Sequence, residues 1–146
     1  MIGYKLMRKM RGGYAPLFID KKQRLSLGHT YDAEVVPTKG YAFRPGWHCL
    51  FKPIAPHLTN NGRVWVKVDM HGYEIHERSE EQGGRWALSQ RITLLEEVDQ
   101  FTELMRWKES ILKRNEHWKS CQDGSYELAL VCAGLPQIEK QLEMLK

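Results

Sequence analysis

The hydrophobic pattern of the chain changes from a strand period to a helix period near Val98. Before this point, short β-prone runs lie between glycine- and proline-rich turns, and in Arg63–Met70 valines occupy alternate positions. After it, apolar residues recur at helical spacing through Asp99–Trp118. Strands followed by helices are typical of α+β proteins. The sequence therefore predicts an α+β fold, with a small antiparallel or mixed sheet over about residues 4–98 and two or three C-terminal helices.

Turn residues and β-prone runs place the elements of the first part. The predicted strands are Tyr4–Met7, Pro16–Ile19, Arg63–Met70 and Trp86–Leu95. The predicted turns are Asn60–Gly62, His71–Gly72 and Gly83–Gly84.

Capping residues place the helices of the second part. Asp99 is a suitable N-cap for the long helix, and Ser125 is a suitable cap for a short helix through Ala133, which Gly134 would end. Pro136 suits the first position of the last helix. We expect one domain over 1–146, with a sheet-rich basic part (1–98) and a helical part (99–146).

The chain has 146 residues, enough for a core that needs neither a disulfide nor a structural metal. Its three cysteines, Cys49, Cys121 and Cys132, lack CxxC spacing, so we expect reduced thiols and no metal cofactor. No apolar run reaches the roughly 18 residues of a membrane span, and the N-terminal residues do not resemble a signal peptide. We therefore expect a cytoplasmic protein with no membrane partner.

Charge is unevenly distributed along the chain. Residues 1–67 carry 12 Lys/Arg against 3 Asp/Glu, whereas residues 68–146 carry 10 against 15. Basic and acidic surfaces that pack within one fold explain such a split. A basic half also suits an anionic partner, namely a nucleotide, a nucleic acid or an acidic protein.

The segment 37–57 contains four prolines, two glycines and two histidines. Because proline removes a backbone donor and restricts the preceding residue, we expect a rigid loop here rather than a helix or a central strand. Within it, Arg44, Trp47 and His48 suit a phosphate, an aromatic base and a ribose hydroxyl, respectively. The segment predicts a basic, aromatic-lined pocket for a nucleotide-type small molecule.

Three short motifs resemble the middle of the ADP-ribosyltransferase-like fold: Gly46-Trp-His48, Pro53-x-Ala55 and the strand Gly62–Val68. The resemblance covers roughly the first two-thirds of the chain. It implies NAD or another nucleotide as cofactor and transfer of ADP-ribose as the reaction, with stabilisation of a positively charged ribosyl centre.

The resemblance also implies roles for individual residues. Arg8 and Arg44 would hold the pyrophosphate, and His48 would contact the ribose as a catalytic residue. The catalytic acid would come from Glu80–Gln82, with Glu81 as the candidate, because no separate glutamate motif precedes the late strand. The remaining candidate ligand-binding residues are Trp47, His57 and Arg63.

A second likeness suggests a setting for the protein. The Lys-Lys-Gln-Arg and Arg-Pro-Gly-Trp-His segments resemble small uncharacterised proteins of bacteriophages and prophages. This likeness implies an alternative function, in which a non-catalytic accessory protein binds and inhibits a host factor, either a protein or a nucleic acid.

Other chemistries compete with nucleotide binding. Asp69-x-His71, followed by His76 and Glu77, supplies possible metal ligands, but no HExxH or HxH pattern is present. Cys49 follows His48 directly, and neighbours in a strand point to opposite faces, which argues against a His–Cys catalytic pair.

Two kinds of macromolecular partner also fit the sequence. Basic clusters at 5–11 and 21–24 alternate with aromatic residues, as in nucleic-acid-binding proteins. Trp107 lies off the main apolar face of its helix, where it would anchor a protein interface or cover a neighbouring element. The apolar stripe of Ile138, Leu142 and Leu145 suggests a homodimer through the C-terminal helices.

Overall fold

A computed structural model describes residues 1–17, 22–33 and 46–146. Within these ranges six strands precede three α-helices, which confirms the predicted α+β class. The strands are β1 (Ile2–Met10), β2 (Gly13–Ala15), β3 (Thr30–Asp32), β4 (Trp47–Leu50), β5 (Arg63–His76) and β6 (Trp86–Val98). Their pairings are antiparallel.

The strand pairings form a closed circuit. β1 pairs with β5, β5 with β6, and β6 with β4. The circuit closes where β4 meets β1 through the pair Tyr4–Leu50. β2 forms a hairpin with β1, and β3 lies beside β6. The sheet therefore curls on itself and has an inner and an outer face.

The inner face holds the hydrophobic core of the sheet. Successive side chains of a strand point to opposite faces, so alternate residues of each strand share this core. On the outer face of β1 and β5, Tyr4, Leu6 and Trp65 are also buried. The inner core comprises Met7, Tyr14, Leu25, Trp47, Cys49, Val66, Val68, Met70, Ala87, Ile92 and Leu94.

β5 and β6 bend together at Gly72. On one side of the bend, the odd-numbered residues Ala87 and Ser89 of β6 are buried. On the other side, the even-numbered residues Ile92 and Leu94 are buried, so the alternation of inward and outward side chains shifts by one residue. Gly72 has a φ of 61°, which a side chain disfavours, and this conformation reverses the alternation. The bend keeps apolar residues on the inner face along two unusually long strands.

The structure differs from three of the sequence-based predictions. The turn predicted at His71–Gly72 is a bend within β5, because β6 continues to pair with β5 beyond it. The strand predicted at Pro16–Ile19 is wrong for Pro16 and Leu17, which follow β2 instead; residues 18–19 lie outside the described ranges. The expected loop 37–57 contains β4, whose four residues lie between Pro45 and Pro53 and so keep every backbone donor.

The described residues divide into two compact units, Met1–Val98 and Asp99–Lys146. The second contains α1 (Gln100–Arg114), α2 (Ser125–Cys132) and α3 (Leu135–Met144). Asp99 is the N-cap of α1, as predicted, and its carboxylate accepts the Thr102 N–H at 3.0 Å. No helix in the described part of the chain has the length and apolar character that crossing a membrane requires.

α1 packs against α3 and buries part of the predicted apolar face. Leu104 and Ile111 are fully buried, whereas Phe101 and Trp118 are exposed. Trp118 leaves the helical face because α1 ends at Arg114 and a separate 3-10 turn follows. Trp107 is half-buried.

Candidate functional site

Trp86 is the centre of a side-chain cluster on the outer face of the sheet. It is paired in register with Leu50 of β4 and with His76 of β5. The His48 imidazole stacks on the indole with ring centroids 4.6 Å apart, and the His76 imidazole stacks at 4.7 Å. Since β4 and β5 flank β6, the two imidazoles reach the indole from opposite sides.

Arg78 and His57 extend this cluster. The Arg78 guanidinium carbon lies 4.3 Å from the Trp86 ring centroid, within the range of a cation–π contact. Burial, helped by the positive charge of Arg78, lowers the pKa of His57. We call His48, His57, His76, Arg78 and Trp86 together the Trp86 cluster.

The loop between β5 and β6 forms one border of the Trp86 cluster. At Gly83 an added Cβ would lie 3.7 Å from His57 Cε1 and 3.4 Å from Leu50 Cδ2, so this glycine brings the loop close to both side chains. Glu81 lies in the adjoining 3-10 helix Glu80–Gln82, where its side chain is exposed. The structure thus places His48, His57 and Glu81, three of the predicted site residues, in one region.

Imidazoles in the Trp86 cluster offer both donor and acceptor atoms. The lowered pKa of His57 favours its neutral form at neutral pH, and that form keeps one acceptor nitrogen. His76 Nε2 lies 3.4 Å from Glu74 Oε2, but this buried nitrogen makes no hydrogen bond. His48 is the exposed member of the stacked pair.

The side chains of Trp47 and His48 do not line one pocket, contrary to our expectation. The two residues are consecutive in β4 and therefore lie on opposite faces of the sheet. Trp47 is buried in the inner core, and its indole N–H donates to the Tyr31 carbonyl at 3.2 Å. Trp86, from another strand, provides the aromatic ring that contacts His48.

Arg8 and Arg63 form a separate pair. They are direct cross-strand partners on β1 and β5 and share the outer face. Tyr4 of β1 is the partner of Leu50, which in turn is paired with Trp86. Arg8 is four residues further along β1 than Tyr4, about 13 Å at the usual rise of a strand. Arg63 donates to the Thr59 carbonyl at 3.2 Å. Arg44, which was predicted to hold the pyrophosphate together with Arg8, lies outside the described residues.

On the inner face, Cys49 is buried and Lys5 lies near it. Burial raises the pKa of Cys49 to about 11, although the nearby Lys5 acts in the opposite direction. The thiol is therefore protonated at neutral pH and is a poor nucleophile. Lys5, whose pKa burial lowers, donates to the His48 carbonyl at 3.0 Å and so fixes the backbone that presents His48.

The candidate metal ligands do not converge in the described part of the chain, where no group of three or more His, Cys, Asp or Glu side chains is close enough to hold an ion. Asp69 and His71 form a pair at 3.5 Å. His76 belongs to the Trp86 cluster instead, and the indole separates it from His48.

The sequence-based predictions did not bring His76, Arg78 and Trp86 into one site, and His76 was considered only as a metal ligand. His76 and Trp86 are cross-strand partners on β5 and β6. The predicted Gly83–Gly84 turn does not give this register, because a two-residue hairpin turn there would pair Trp86 with Glu81. The strand predicted over Arg63–Met70 also ended before His76.

Comparisons with protein-family models, with curated proteins and with solved structures found no match for this chain.

Proposed function

We propose that the protein binds a nucleotide-type ligand, such as NAD or ADP-ribose, at the Trp86 cluster. The observation that carries the proposal is the convergence of His48, His76 and Arg78 on one indole ring. Three strands and a loop thus bring cationic and imidazole donors to one place on the outer face.

The parts of a nucleotide match this set of groups. A guanidinium that stacks on an aromatic face still presents its edge N–H donors, which suit a phosphate. An exposed imidazole such as His48 can stack with a base or donate to a ribose hydroxyl. Glu81, in the adjoining loop, is our candidate for an acid that orients the acceptor of an ADP-ribosyl group. The proposal therefore includes ADP-ribosyl transfer as the reaction and the cytoplasm as its location.

Binding can be measured by titrating NAD, ADP-ribose and ATP while following tryptophan fluorescence and thermal stability. A ligand at 100 times its dissociation constant adds about 2.7 kcal/mol to stability. We expect His48→Ala and Arg78→Gln to weaken binding at least tenfold. The affinities for adenosine and for inorganic pyrophosphate, measured separately, show how much the nucleoside and the phosphates each contribute to binding.

His117→Ala is a matched control, because His117 is an exposed histidine of the helical unit. It should bind ligand like the wild type. Equal affinities for His48→Ala, Arg78→Gln and His117→Ala, or no ligand response at all, would contradict the proposal. Turnover of NAD that Glu81→Gln abolishes would extend it from binding to catalysis.

The alternative, binding of a host protein, is supported by a different observation. α2 has an apolar sequence, and Leu128 and Val131 are 64% and 59% exposed. Apolar side chains in such positions suit a protein interface. Capture of a partner by the wild type but not by Leu128→Ser would favour this function.

A further inference from the structure

Three arginines form a row across the outer face of the sheet. Arg63 of β5 is paired with Arg8 of β1, and Arg8 is paired with Ala15 of β2. An isolated antiparallel β-bridge between Tyr14 of β2 and Leu25 makes the chain around Leu25 the next neighbour of β2. Antiparallel register then places Arg24 beside Ala15, so the row runs from Arg63 through Arg8 to Arg24.

Alternation of side chains puts the three arginines on the same face. Met7 and Leu25, each next to an arginine of the row in sequence, belong to the inner core, so Arg8 and Arg24 point outward. Arg8 makes no hydrogen bond or ion pair with any described residue. Like charges directly opposite each other destabilise a sheet, and an anion that bridges Arg8 and Arg63 would remove this repulsion.

We propose that the arginine row binds the phosphate backbone of a double-stranded nucleic acid, separately from the Trp86 cluster. The row spans three strand spacings, about 14 Å in all. One strand of a duplex carries a phosphate roughly every 3.4 Å along the axis, so about four phosphates lie within this span. Arg11 and Lys22 are also exposed, and they lie three residues from Arg8 and two from Arg24 in sequence, respectively.

A duplex fits this surface better than a single strand. Single-stranded nucleic acids bind through bases stacked on exposed aromatic rings. Among the residues that the structure describes, the aromatic side chains nearest the row are not exposed: Tyr4 and Trp65 are buried, and the hydroxyl of buried Tyr14 donates to Glu97. Contacts to phosphates alone predict binding that does not depend on base sequence.

Fluorescence anisotropy with short DNA and RNA duplexes, and with a single strand of the same sequence, tests the proposal over a range of salt concentrations. Three phosphate contacts predict a slope of log K against log salt of about −2.7 on B-DNA. This slope corresponds to a loss of affinity of roughly 40-fold between about 50 and 200 mM salt. Arg8→Gln should reduce the magnitude of the slope by about 1, and Arg8→Lys should preserve it.

Arg91→Gln is the matched control, since Arg91 is an exposed strand arginine that is held by Asp32 at 2.6 Å. It should bind duplex like the wild type, as should His48→Ala, which separates this proposal from nucleotide binding. Arg24→Gln, at an exposed position, replaces Arg8→Gln if the latter does not fold. An unchanged slope in the row variants, or tighter binding to the single strand, would overturn the proposal.

Discussion

Ser89 shows how one buried hydroxyl stabilises a bend in a sheet. Its Oγ lies 3.1 Å from the His71 carbonyl and 2.7 Å from the Arg91 carbonyl, next to Gly72. Ser89→Ala would remove the one hydroxyl donor that these carbonyls share, and a buried unsatisfied group costs about 1–3 kcal/mol. We expect a loss of that size in urea unfolding. Ser26→Ala, at an exposed position, should change the free energy of unfolding by less than about 0.5 kcal/mol.

Glu97 gives the sheet a stability that depends on pH. Its carboxylate accepts from the Tyr14 hydroxyl at 2.8 Å and pairs with Lys9 at 3.0 Å, and these bonds lower the pKa of Glu97. A carboxyl whose pKa is lower in the folded state stabilises the fold above its unfolded pKa and loses this effect as pH falls through the folded value.

Glu97→Gln should therefore lower the free energy of unfolding by about 1 kcal/mol at neutral pH, since Glu97 is partly exposed. Below the folded pKa of Glu97, wild type and variant should unfold at similar urea concentrations. A difference that persists unchanged into strong acid would assign the effect to packing. Burial, together with the bond to Glu97, raises the pKa of Tyr14 to about 12, so Tyr14 stays protonated across this range.

At the scale of elements, the bend at Gly72 depends on backbone conformation rather than on space. A Cβ at Gly72 would meet Gln90 atoms no closer than 3.5 Å, so an alanine fits sterically. Its φ of 61° still costs a residue with a side chain about 1–2 kcal/mol, and asparagine tolerates this region better. In thermal unfolding, Gly72→Ala should be less stable than Gly72→Asn. Equal stabilities would show that the bend relaxes without this conformation.

The same elements show which parts of the structure the sequence could predict. The N-cap Asp99 and the helix end at Gly134 act through adjacent residues, so local signals located them. β4 depends on pairing with β1 and β6, which lie far away in sequence, and nearby prolines obscured it. The Trp86 cluster was found only in part, because His48 meets Trp86 through strand order rather than through sequence proximity.

At the scale of the whole molecule, each of the two units has its own buried residues. The apolar residues that stay exposed show which surfaces are available to the predicted homodimer. Ile138 and Leu142 of the predicted seam are buried within a single chain, so they are not available to a second copy. Leu128 and Val131 of α2 are exposed, so they remain available to a dimer through the C-terminal helices.

Leu128→Ser combined with Val131→Ser separates association from folding. Because both side chains are largely exposed, the double variant should unfold within about 1 kcal/mol of the wild type at low protein concentration. Sedimentation velocity over a range of concentrations then tests the homodimer: the wild type should sediment faster as concentration rises, and the variant should stay monomeric. A wild type that is monomeric at every concentration would contradict the homodimer. In that case the apolar surface of α2 would instead fit a different partner.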